Sequence, residues 1–552
     1  MLFVFCALFS FVLIGWGFLF NRLFKTNLAE GLLNATAFSG LLIFYGFLFS
    51  IPQIMSLMLL GFGGFLFIFF ILHEVKNRHK LPDVRENLRT ICVYLALCCL
   101  CFFIAYGLKF RSIDDYSFWG TISKYLFIFH SLPVNSDYIN PSYLTYIPGM
   151  ASFHYLLYSL ANQYSQLLGY FAQGLVLISA MVVFFDAKNS LRSLVFLGLW
   201  LILFTLAYGT IFARMEVDAY VAAYLFAITW LIYKKGNKPQ CLFFPIIFLS
   251  VIKEIGLAFS VLSLILLALL ESKNRKILFQ CFGIFIAVLA TKLLWKLHVS
   301  TYGFHSFSQG ISLKSAASAL NPFNQYYQKV QFLYVKEIFL ASFDYLIKIP
   351  YIVIYLFIGG LWCGLLKKSP IDKTRLNKTM GVFATFALLY LVMLYCLQAI
   401  VFAVGHENKE ILGFHRYYNM LFLPWFCLII FIALDASKTT AYASLFKPAP
   451  MIIVLLATAL LVGGKIERMR KFYQPNELYQ IYNLVDSAKA QLKNKSWSVC
   501  LVNPPKPSYQ ITMPLSYFFM PNRIFYPASA LSNCELNLAW DNNGKFTIHR
   551  VI

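Results

Sequence analysis

The feature that most constrains this chain is the recurrence of apolar runs about twenty residues long. Four of them, at 1–20, 31–51, 54–72 and 88–107, come in close succession at the start. A hydrocarbon core about 30 Å thick is crossed by a helix of roughly 20 residues. Backbone polar groups in lipid must also find partners within the segment, which for single runs of this length means helix. Hydrophobic residues make up 60% of the 552 and charged residues 12%, well below the quarter or so charged in soluble domains. The chain therefore reads as an all-α polytopic membrane protein. The first run lacks the basic start and small-residue cleavage site of a signal peptide and is expected to remain as the first span.

Charge between the runs sets direction. The 73–89 loop carries Lys76, Arg78, Lys80, Arg85 and Arg89, which places it in the cytoplasm and the following loop, 108–165, on the outer face. Later runs at 166–185, 193–212 and 217–233 keep the alternation, with Lys188, Arg192, Lys234, Lys235 and Lys238 inside. The 241–270 stretch is too long for one upright span and too short for two. With Lys253-Glu254 near its middle, it is expected to form a hairpin of two short helices with those charges at the tip. A run at 277–297 leads to a second outer loop, 298–345, apolar enough to lie against the membrane, and further runs follow at 346–366, 380–404, 417–434 and 450–464. The expectation is about twelve spans plus the hairpin, a membrane domain over 1–464.

From residue 465 the composition turns polar and Pro-rich, with a strand expected at 497–502, so 465–552 reads as a small soluble α/β domain. Alternation puts it outside, whereas Lys465, Arg468, Arg470 and Lys471 directly after the last run favour the inside. Outside, Cys500 and Cys534 could pair. The net charge of +23 is spread in short groups between apolar runs, a pattern suited to anionic lipid rather than nucleic acid.

The outer loop 108–165 holds the chemistry-bearing stretch, Asp114-Asp115-Tyr-Ser-Phe-Trp119-Gly-Thr-Ile-Ser-Lys124. Adjacent carboxylates before a helix can be a cap, a base pair or, through Asp115, ligands for a divalent metal. Arg214 and Asp218 are spaced i, i+4 and are expected to pair on one helix face, with Glu216 pointing elsewhere. No histidine spacing resembles a metal site.

The stretch Asp114 to Lys124, followed by Tyr146-Ile-Pro-Gly149 and Phe153-His-Tyr155, resembles bacterial membrane proteins of the GT-C glycosyltransferase superfamily, whose pattern reads Asp-Glu-Phe-Ser-His-Trp-Gly. This chain has Asp115 in place of the Glu and Phe118 in place of the His. Looser similarity extends to Val217-Asp-Ala-Tyr220, Ile252-Lys-Glu-Ile-Gly256 and His415-Arg-Tyr417. The resemblance implies transfer of a sugar from a polyprenyl-phosphate donor to a glycan, lipid or protein acceptor on the outer face of a bacterial cytoplasmic membrane, with an acidic residue of the first large outer loop as base. In the better-known members that loop follows the first span; here about three spans more precede it.

The base role falls to Asp114, with Asp115 as substitute. Fixed positive charge for the leaving lipid phosphate is expected from Arg416, Lys253, Arg214 and Lys124. Contacts to sugar or acceptor are expected from Trp119, Tyr146, Glu216, Asp218, Glu254 and Tyr417. Competing readings are a surface-polysaccharide polymerase or ligase and a transporter or lipid flippase, the last kept open by the intramembrane Lys253-Glu254 pair.

Overall fold

The fold is that of a computed structural model. It describes residues 1–76, 81–112, 114–135, 138–139, 141–235, 239–304, 311–344, 346–368, 372–402, 411, 413–436 and 449–472, and beyond them 481–482, 499–502, 509–520, 524–525, 536–540 and 546–550. Among these residues seven helices are long and apolar enough to cross a membrane: Leu2–Phe24, Leu28–Leu48, Pro52–His73, Val84–Ala105, Arg275–Thr301, Lys373–Phe402 and Phe414–Ala436. The chain is a helical integral membrane protein. Shorter apolar helices, Gln166–Val182, Arg192–Tyr208, Pro239–Ile252, Gly256–Leu270 and Tyr351–Lys367, complete much of the bundle. The runs at 217–233 and 450–464 lie in helices Asp218–Lys235 and Ala449–Phe472.

The hairpin is present. Helices Phe243–Ile252 and Gly256–Leu270 pack together, and the chain turns between them at Lys253, whose backbone is extended. The turn is tight enough that a Cβ on Gly256 would lie 1.9 Å from the Leu249 carbonyl oxygen, so only glycine fits there.

The two ends of the bundle gather different loops. At one end Arg192 and Lys234 both bind Asp435, Lys188 lies 3.5 Å from Glu86, and Arg375 pairs with Glu271. These belong to the loops that charge patterning assigns to one side. At the other end the 106–148 loop, the 209–217 loop, the hairpin tip and the start of helix Phe414–Ala436 converge. The last helix also finishes there: Arg468 lies 3.6 Å from Asp115, so its basic cluster shares the end with the acidic loop.

Beyond that helix, helix Tyr509–Phe519 packs beside the 108–119 turn, with Phe110 and Tyr116 against Tyr517. Among the described residues four short strands form one sheet. Val499–Val502 lies between Ile524–Phe525 and Leu536–Trp540, parallel to both, and Phe546–Arg550 pairs antiparallel on the outer side of Leu536–Trp540. The Cys500–Cys534 pairing falls outside the described residues, since Cys534 and the Cys500 side chain are not among them.

Candidate functional site

Asp114 immediately precedes a single π-helical turn, Asp115–Trp119, which continues into helix Gly120–Phe129. Such turns carry one extra residue and recur at functional sites because they re-aim side chains. Gly120 is needed where the π turn ends: a Cβ there would lie 2.2 Å from the Phe110 ring and 2.5 Å from the Asp115 carbonyl oxygen.

Arg416, in the first turn of helix Phe414–Ala436, is the hub of the site. Its Nη1 lies 2.5 Å from Asp114 Oδ2 and 3.4 Å from Glu216 Oε2. Nε approaches Asp218 Oδ2 at 3.1 Å as an ion pair without hydrogen-bond alignment, and Nη2 donates to the Tyr417 hydroxyl at 2.9 Å. Lys253 Nζ, from the hairpin tip, donates to Asp218 Oδ1 and sits 4.9 Å from the centre of the Tyr417 ring. Arg214 Nη1 is 3.6 Å from Glu216 Oε2. Three carboxylates thus face three cations from four separate segments, and their formal charges cancel.

The sequence reading paired Arg214 with Asp218; the structure pairs Arg214 with Glu216 and gives Asp218 to Lys253 and Arg416. The reason is local backbone. Arg214 is extended and the helix begins only at Asp218. The i, i+4 rule needs a helix, whereas in extended chain residues two apart share a side. Asp218 instead occupies the first turn, where the helix dipole favours a carboxylate.

Asp115 has a different task. It is buried, with Oδ2 accepting from the backbone N–H groups of Arg111 and Ser112 at 2.9 and 3.0 Å, and Oδ1 from that of Met215 at 3.2 Å. Arg468 supplies the countercharge and itself donates to the Tyr170 hydroxyl at 3.0 Å. With its oxygens turned to these donors, Asp115 does not present them as substitute base or metal ligand. Instead it ties the chain at Asp114 to the 214–216 segment that carries Glu216. Among the described residues no group of three or more His, Cys, Asp or Glu is gathered for a metal ion.

The other expected residues divide. Trp119 and Tyr146 come together at 6.1 Å between ring centres, with Phe118 and Tyr143 each 5.3 Å from Tyr146. Burial raises the Tyr146 phenol above the ordinary tyrosine value, and the nearby Asp114 carboxylate adds to that shift. Tyr146 is therefore a neutral hydroxyl at physiological pH. Lys124, by contrast, is buried under the C-terminal segment, donating to the carbonyls of Tyr517 at 2.5 Å and Phe518 at 3.3 Å, where it caps the end of helix Tyr509–Phe519. Glu254 faces away from the hub toward Lys292, at 3.1 Å.

Burial also raises the Glu216 carboxyl above the ordinary glutamate value, and the nearby Arg416 and Arg214 oppose that shift. Residues missed in the sequence are Tyr143, Lys292 and Arg468. Arg468 left a trace: Ala457, Leu461 and Arg468 recur at helical spacing and all three are buried, so it sits on the core stripe of the last helix while Arg470 and Lys471 do not.

No protein-family model matches this chain, and no curated protein matches it.

Proposed function

We propose that this protein is a GT-C type glycosyltransferase, transferring a sugar from a polyprenyl-phosphate carrier to a hydroxyl of a glycan, lipid or protein acceptor. The observation that carries the reading is the Arg416 hub, in which a partly exposed carboxylate, Asp114, shares a guanidinium with two deeper ones.

A phosphate oxygen arriving at Nη1 competes with Asp114 for the same donor. Donor binding therefore releases the base. Asp114 then accepts the acceptor's hydroxyl proton as that oxygen bonds to the anomeric carbon. The bond from that carbon to the phosphate oxygen breaks, its electron pair passing to the phosphate beside Arg416, Lys253 and Arg214. Trp119, Tyr146 and Tyr417 offer ring faces and hydroxyls to the sugar. Asp218, already held by Lys253 and Arg416, keeps the cations in place.

This reading goes with about twelve spans in a bacterial cytoplasmic membrane, the site on the periplasmic side, and 465–552 as a small soluble α/β domain on that side. Purified protein given a radiolabelled polyprenyl-phosphate sugar and an envelope extract should yield a covalent product. Mass spectrometry of envelope glycans from cells with and without the protein then names sugar and acceptor. Flux of the lipid across the bilayer with no covalent product would replace transfer by transport.

A further inference from the structure

The segment between helices Arg275–Thr301 and Tyr351–Lys368 begins and ends at the Arg416 end of the bundle. Trp295 donates to the Thr145 carbonyl at 3.0 Å, and Tyr351 donates to Asn419 at 2.8 Å, one turn along the helix that carries Arg416. Helix Gln325–Leu340, 16 residues and so about 24 Å long, cannot cross the bilayer and return. Its inner face is fastened: Val330 and Tyr334 are buried, and the Tyr334 hydroxyl donates to the Leu391 carbonyl.

Its outer face is apolar where a watered surface would be polar. Phe332, Val335 and Phe339 recur at helical spacing opposite Val330 and Tyr334, and Phe332 is 72% exposed. The turn before this helix carries Phe323 at 85% exposure, and helix Leu313–Leu320 opens with Leu313 at 93%. A third projection is rigid. Buried Asp344 accepts the backbone N–H groups of Leu346, Ile347, Lys348 and Ile349, folding a turn that holds Leu346 and Ile347 outward. Charge on the segment is one-sided: Lys314, Lys329, Lys336 and Lys348 are exposed, while Glu337 is partly buried and Asp344 is spent on its turn.

We propose that residues 311–344 with the 346–350 turn form a lipid-surface anchor, seating their aromatic and aliphatic tips in the headgroup layer of an anionic leaflet on the Arg416 side, with the lysines on lipid phosphates. Apolar outcrops held rigidly among lysines suit that boundary, where rings and aliphatic tips enter and ammonium groups stay at the phosphates. Nothing in this surface depends on the reaction at Arg416, so the anchor stands or falls apart from the transferase reading.

The test places a photoreactive benzophenone amino acid at position 323 or 332 of the full-length protein in bilayer nanodiscs of mixed phosphatidylglycerol and phosphatidylcholine. Position 282, exposed on helix Arg275–Thr301, serves as the lipid-facing control. Irradiation is expected to attach phospholipid at 323 and 332, with phosphatidylglycerol enriched over its share. Adding Lys329→Gln and Lys336→Gln should reduce that enrichment, by about fivefold per lysine. Lipid adducts at 282 with none at 323 and 332, or adducts only to a second protein chain, would overturn the anchor. An adduct ratio indifferent to the lysine changes would overturn its charge selectivity.

Discussion

Asp114 and Asp115 are neighbours in the chain and belong to two different kinds of polar cluster. Asp115 receives three backbone N–H groups and a buried guanidinium, Arg468. Asp114 pairs with a side-chain group, Arg416 Nη1, which it shares with Glu216. Bonds to backbone fix the chain and leave little for a ligand to displace. A network made only of side chains from separate segments can exchange one partner for another. The first pattern builds a site and the second can operate one.

The largest expected effect breaks the backbone-linked cluster. Asp115→Asn leaves the buried Arg468 charge uncompensated, which costs about 3–5 kcal/mol for a buried pair that loses one partner. The expected outcome is a steep fall in thermal stability in detergent, or loss of folded protein. Adding Arg468→Met should recover part of the loss, because the two residues interact directly. A single variant as stable as the parent would erase the distinction between the two aspartates.

Asp114→Asn should separate from it cleanly. Sugar transfer is expected to fall by roughly 10²–10⁴-fold, the range for loss of a general base, with donor binding retained and the melting temperature close to that of the parent. Full transfer in the folded variant would remove Asp114 from the base role. Lys124→Met tests a third position, in which a buried ammonium holds the C-terminal helix. Leaving the Tyr517 and Phe518 carbonyls without their donor should cost about 1–3 kcal/mol. Limited proteolysis within 481–520 should then accelerate.

Glu216→Gln has the smallest expected effect on stability and the most informative sign. The Glu216 carboxyl lies above its ordinary value in the folded protein, so the native state holds that proton more tightly than the unfolded chain. Stability from this group is full below the ordinary glutamate value and is lost as pH rises through the elevated one. At neutral pH the substitution should therefore leave the melting temperature unchanged or raise it, while transfer declines. A marked loss of stability at neutral pH would make Glu216 a structural partner of Arg214 and Arg416.

Much of this architecture was legible because lipid is a demanding solvent. The four N-terminal runs correspond to Leu2–Phe24, Leu28–Leu48, Pro52–His73 and Val84–Ala105, since length and apolarity alone decide such segments. The hairpin tip was legible for the same reason: two charges in a stretch of about thirty residues need a turn. The i, i+4 spacing of Arg214 and Asp218 does not make a pair, because the helix begins only at Asp218. Lys124 follows Asp114 closely in the chain, while its partners, Tyr517 and Phe518, lie almost four hundred residues away.

The sequence by itself determined that this is a helical membrane protein and where its long apolar helices run. Hydropathy and loop charge are local properties, and the bilayer converts them directly into position. Only the tertiary structure decided what each charged group faces. It assigned Asp115 to the backbone and to Arg468, and gathered Asp114, Glu216 and Asp218 around Arg416. Partner choice among buried charges depends on which segments the bundle brings within a few ångströms, and no spacing along the chain encodes that distance.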